Sequence, residues 1–134
     1  MNRKDSRVTN PRKANIPKRR FLLEESFIVR SYRLDFISVE NRPHPTPTLV
    51  PTINLFDNSE GNTTGRKHAV VYFHVTPETF GTPGSLNDVF YVHYDISLLQ
   101  PTMEMLKAGH EVECYFKTSK SNSWTGIRSA VITR

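Results

Sequence analysis

From Phe21 the chain becomes apolar in a patterned way: Phe21, Leu22 and Leu23, then Phe27, Ile28 and Val29, then Tyr32, Leu34 and Phe36 alternating with Arg33 and Asp35. A two-residue period belongs to a half-buried strand and predicts a first strand over about residues 26–39. Four prolines (Pro43, Pro45, Pro47, Pro51) then fall within residues 41–51, fixing φ and removing donors, so that stretch is expected to be an extended loop. Residues 53–56 make a short apolar island, and DNSEGNTTG at 57–65 is turn chemistry throughout.

Residues 67–76 (KHAVVYFHVT) place Ala69, Val71, Phe73 and Val75 on one face and His68, Val70, Tyr72 and His74 on the other. The second face is polar and aromatic. After a Pro/Gly loop, residues 88–95 (DVFYVHYD) form the next strand by their β-branched and aromatic content. One or two helical turns are expected around Met103, Met105 and Leu106, limited by Pro101 and closed at residues 107–109. Residues 111–117 alternate again, with Val112, Cys114 and Phe116 inward and Glu113 and Tyr115 outward. A polar hairpin loop at 118–125 leads to a last strand at 126–133. The fold class is therefore all-β, five strands in an OB-like barrel, with a long loop between strands 1 and 2; closure is favoured because it removes exposed edges.

Charge changes this picture at the N-terminal end. The net charge is +5 over 134 residues, but residues 1–20 carry eight Lys and Arg against Asp5 alone, a net +7, which leaves the remainder at −2. Such a block with few apolar neighbours is read as a disordered basic tail (1–20) preceding one domain (21–134). Mean hydropathy is −0.49, and no apolar run approaches the roughly 20 residues of a bilayer span. The basic start leads into Pro, Asn and Lys, not the apolar core of a secretory signal, so an intracellular location is expected, cytoplasmic or nuclear; Pro17-Lys18-Arg19-Arg20 has the composition of a nuclear signal. A single cysteine, Cys114, excludes an internal disulfide and alternates with core residues.

The last half of the chain carries a family pattern. Residues 88–96 (DVFYVHYDI), a loop, residues 106–116 (LKAGHEVECYF), a polar turn, and residues 126–131 (GIRSAV) resemble the cold-shock domain family in motif order and spacing over roughly residues 67–133. Where that family carries Lys-Gly-Phe-Gly-Phe-Ile, this chain has Lys67-His68-Ala69-Val70-Val71-Tyr72, and Tyr91 adds one residue to the third strand. A one-residue slip reverses every side chain, so either Phe90 and Tyr94 or Tyr91 and His93 face outward. The resemblance implies an OB fold binding single-stranded RNA or DNA, RNA in preference, by base stacking on Tyr72 and His74 of strand 2 and Phe90, His93 and Tyr94 of strand 3. Lys67, Lys117 and Arg128, with Lys18, Arg19 and Arg20 of the tail, would meet phosphates.

Other chemistry is weaker. His44-Pro45-Thr46 and His74-Val75-Thr76 formally make two His-x-Thr units, but His44 lies in the proline-rich loop, not on a strand. His68 and His74 share a face roughly 20 Å apart at strand rise, too far for one metal ion. No catalysis, metal or cofactor is expected. The alternative to nucleic-acid binding is a protein-interaction module, with a partner engaging the barrel surface or the proline-rich segment 43–51.

Overall fold

The computed structural model describes residues 23–39, 48–64, 66–76 and 81–130. The expected tail with Lys18, Arg19 and Arg20, His44, most of the proline-rich loop and the end of the last strand lie outside them. Among the described residues there are eight strands and one short α-helix: β1 (Leu23–Ile28), β2 (Ser31–Val39), β3 (Thr48–Phe56), β4 (His68–His74), β5 (Gly84–Leu86), β6 (Val89–Asp95), a 3₁₀ turn at Ile96–Leu98, α1 (Leu99–Lys107), β7 (Val112–Thr118) and β8 (Ser123–Ser129). No helix among them is long and apolar enough to cross a membrane.

The strands form two sheets, a three-stranded one in the order β1-β7-β8 and a five-stranded one in the order β2-β3-β4-β6-β5. The all-β class holds, but among the described residues no ladder closes these sheets into a barrel. All pairings are antiparallel except β4 with β6, which run parallel with Tyr72 opposite His93. The long first strand expected from the alternation is present with a break at Val29 and Arg30. There the Val29 amide donates to Val112 O at 2.8 Å and the Arg30 amide to Phe56 O at 2.8 Å, so the chain passes directly from one sheet to the other. Where β8 meets β6, the bonds use side chains: Thr125 Oγ1 donates to Tyr91 O at 2.7 Å and the Ile127 amide to the Tyr94 hydroxyl at 3.1 Å.

The main correction to the sequence reading is β3, which continues from the proline-rich segment and includes Pro51. Pro51 is opposite Phe36 of β2 but precedes the first residue paired with β4, Thr52. At that point β3 has one neighbour, the edge-like situation in which a strand tolerates proline. Val75, read as sharing a face with Ala69, Val71 and Phe73, lies past the end of β4 and is exposed, while those three are buried.

The core lies between the sheets. Phe27 of β1 and Phe116 of β7 meet Phe90 of β6 at centroid distances of 5.6 and 6.0 Å, both tilted. Ile53, Leu55, Ala69, Val71, Phe73 and Val92 complete it with no exposed surface. Cys114 is equally buried, and burial pushes its thiol up to about 12, the behaviour of a small core residue and not of a nucleophile. Leu99, Met103 and Leu106 place α1 against this core. Pro101 sits in the first helical turn, where a missing amide hydrogen breaks no bond, and Gly109 past the C-cap adopts φ +82°, the left-handed conformation that ends helices.

Candidate nucleic-acid interface

The register of β6 settles which rings face out. Phe90 and Val92 are fully buried and Tyr94 packs on the same inner side, so Tyr91 and His93 take the outer face. The parallel pairing with β4 sets Tyr72 beside His93 and Val70 beside Tyr91. Tyr72, His74, Tyr91 and His93 therefore share the outer side of the sheet, where Tyr72, Tyr91 and His93 are half-buried and His74 is buried beneath its neighbours.

These rings form an ordered group. Tyr72 and His93 lie nearly parallel, 10° apart with centroids at 5.0 Å; His74 stands 5.1 Å from His93 and 6.1 Å from Tyr72. His74 Nε2 is 2.9 Å from His93 Nδ1, and the Gly81 amide approaches the same Nδ1 at 3.3 Å. An amide N–H can only donate, so His93 Nδ1 is an acceptor and the bridging proton belongs to His74 Nε2. Burial lowers the pKa of both imidazoles, and the charge of His74 lowers that of His93 further, which keeps the pair neutral. Burial raises the Tyr72 phenol, with nearby Tyr91 adding to the effect. Gly81 is required here because a Cβ would come within 2.7 Å of His93 Cε1. Among the described residues no cluster of three His, Cys, Asp or Glu side chains is placed to hold a metal ion.

The other expected site residues are elsewhere. Phe90 offers no surface to a base, since its ring joins the two sheets. Tyr94 meets Phe73 edge-on at 6.1 Å, its hydroxyl held by the Ile127 amide. Lys67 donates its amide to Asp57 Oδ2, and its ammonium lies 5.9 Å from the centroid of the buried Phe90 ring, toward the core and away from Tyr72. Lys117 and Arg128 belong to the outer face of the three-stranded sheet, grouped around Tyr115 with centroid distances of 5.4 and 4.3 Å. There Arg128 Nε bonds Glu113 Oε1 at 2.8 Å, and Glu24 Oε2 lies 3.8 Å from Arg128 Nη2 and 4.0 Å from Lys117 Nζ. The Ser26 hydroxyl, followed by Arg128, holds Glu113 below the usual carboxylate range. Two cations balanced by two carboxylates make a neutral cluster instead of a phosphate track.

Sequence reasoning did not reach a second polar chain on the outer side of the five-stranded sheet. His68 Nε2 donates to Asn54 Oδ1 at 2.8 Å, and Asn54 Nδ2 donates to Asp35 Oδ2 at 2.7 Å, which also accepts from Arg33 Nε at 2.9 Å. His68 stacks on Phe56 at 5.0 Å, and burial, then the Arg33 charge, lower its pKa. This chain joins β4, β3 and β2, and it depends on β3 being a strand, which the prolines concealed. The comparisons add no identity: no family model, curated protein or solved structure matches the chain.

Proposed function

We propose that the chain binds single-stranded nucleic acid, RNA in preference, on the outer face of β4 and β6, with Tyr72, Tyr91 and His93 as the stacking surface and the basic segment 1–20 supplying phosphate attraction. The observation that carries this reading is the near-parallel Tyr72–His93 ring pair on an outward sheet face, which has the chemistry of a base platform. Two mutually bonded histidines with lowered pKa values keep the ring group uncharged near neutral pH, so bases are met by π-faces while cations come from outside the sheet. In this reading the chain is a divergent cold-shock relative on an OB-like scaffold. The β2-β3-β4 meander and a first strand shared between two sheets support that kinship. Phe90 and Tyr94 are withdrawn from the site and Tyr91 takes their place.

The test is fluorescence anisotropy of the full chain with labelled oligouridylate and oligothymidylate. Tyr72→Ala and His93→Ala should each weaken binding by about 5- to 100-fold, the equivalent of one lost stacking contact. Raising salt should weaken all the proteins in parallel, since the phosphate contribution lies in the tail. Wild-type affinity in both variants, with circular dichroism unchanged, overturns the proposal. The exposed apolar strand β2 favours a second, separate role in protein association.

A further inference from the structure

Strand β2 borders β3 on one side, and among the described residues no strand borders it on the other. Its core-side face runs past the three-stranded sheet. Tyr32 is 37 % exposed, Leu34 40 % and Phe36 61 %, with Leu49 of β3 at 58 % beside them. Apolar side chains at alternate positions on an open sheet edge are what natural proteins ordinarily blunt or cover. The opposite face of the same strand carries Arg33 and Asp35, and Asn54 holds the Asp35 carboxylate in place at 2.7 Å.

The order of these residues, Tyr-Arg-Leu-Asp-Phe, is self-complementary under antiparallel reversal. Place Leu34 on a two-fold axis against Leu34 of a second copy. Tyr32 then stands opposite the second copy's Phe36, and Arg33 opposite its Asp35, each pairing occurring twice. Within residues 32–36 every apolar residue meets an apolar one and every charge meets its opposite, and Ile37 falls opposite Ser31 at the two ends of the seam. Neighbouring registers lose these pairings: an axis at Arg33 sets Arg33 against itself, an axis at Asp35 sets Asp35 against itself, an axis at Tyr32 puts Arg33 opposite Ser31, and an axis at Phe36 puts Asp35 opposite Ile37. Parallel pairing in register stacks like on like. Directly opposed opposite charges and aromatic pairs favour a register by a few tenths to about 1 kcal/mol each, whereas opposed like charges disfavour it, so the choice is strongly biased.

We infer that β2 is a self-association edge: two copies join antiparallel through Leu34, extending their five-stranded sheets into one continuous sheet of ten, with an apolar strip of Tyr32, Leu34 and Phe36 from each copy along one face. Arg33 and Asp35 of the two copies form an alternating four-charge row on the other face. This inference does not rest on the nucleic-acid reading, because it uses a different edge and different residues.

The charge row provides the test. Sedimentation velocity of the full chain should show its mass doubling as concentration rises. Arg33→Asp alone or Asp35→Arg alone puts like charges opposite each other in a homodimer, so each should remain monomeric over the range in which wild type associates. Mixed in equal amounts, the two variants regain opposite charges at both positions, and the doubled mass should return. A purely structural role for the Arg33–Asp35 pair predicts no such rescue, since neither variant contains that pair within its own chain. Leu34→Cys should give a disulfide-linked dimer on mild oxidation, while Leu86→Cys on the far edge of the sheet should not. A wild type monomeric at every concentration, variants that associate as wild type does, or an equal mixture that stays monomeric overturns the inference.

Discussion

Phe90→Ala separates an interior ring from a base-stacking one. Phe90 has no exposed surface and meets Phe27 and Phe116, which approach it from the opposite sheet. Removing it takes away a side chain that contacts aromatic rings of both β1 and β7 and leaves a cavity between the two sheets. A buried Phe→Ala change costs about 3–5 kcal/mol, with the upper part of that range expected where the cavity cannot collapse. For a domain of this size each kcal/mol moves the melting temperature by roughly 3–5 °C, so a fall of about 10–20 °C is expected. The assay is thermal and urea unfolding followed by far-ultraviolet circular dichroism, with the urea slope unchanged if only the native packing is affected. Residual oligonucleotide binding below the transition should be close to wild type. A variant that melts within a degree or two of wild type yet loses its affinity would show that the ring stands at the surface, and the inward placement of Phe90 on β6 would be wrong.

Acid should destabilise the protein through its histidines. His68, His74 and His93 all have pKa values lowered from 6.5 in the folded state, so their contribution is full above 6.5 and is lost as the pH falls through the lowered folded values. Melting temperature measured from neutral pH down to about 5 should therefore decline, and His93→Gln should flatten the decline; identical slopes in the two proteins would refute the coupling. Gly81→Ala should displace the His93 ring, lowering oligonucleotide affinity with a melting temperature change of only a few degrees. Unaltered affinity in that variant would place the loop away from the binding face.

Alternation brings much of the fold into view. The inward set Val112, Cys114 and Phe116, the inward set Ala69, Val71 and Phe73, and the helix end at Gly109 all follow from local periodicity and φ preference, and the structure has them as read. What periodicity does not encode is the neighbour on either side of a strand. Pro51 looks like a strand breaker until β4 is known to begin pairing one residue later, so β3 is hidden. The β6 register is undecidable from DVFYVHYD because both faces of that strand are aromatic; only the second sheet, arriving through Phe27 and Phe116, selects Phe90 for the interior. Lys117 and Arg128 read as cations ready for phosphate, but Glu24, far away in sequence, crosses from β1 to neutralise them.

The transfer of the chain between sheets at Val29 and Arg30 also bears on how the molecule comes apart. Two adjacent amides anchor it, one to each layer. Loss of either layer breaks an anchor of the other within one residue, so the two are expected to melt in a single transition, seen as coincident near- and far-ultraviolet circular dichroism curves.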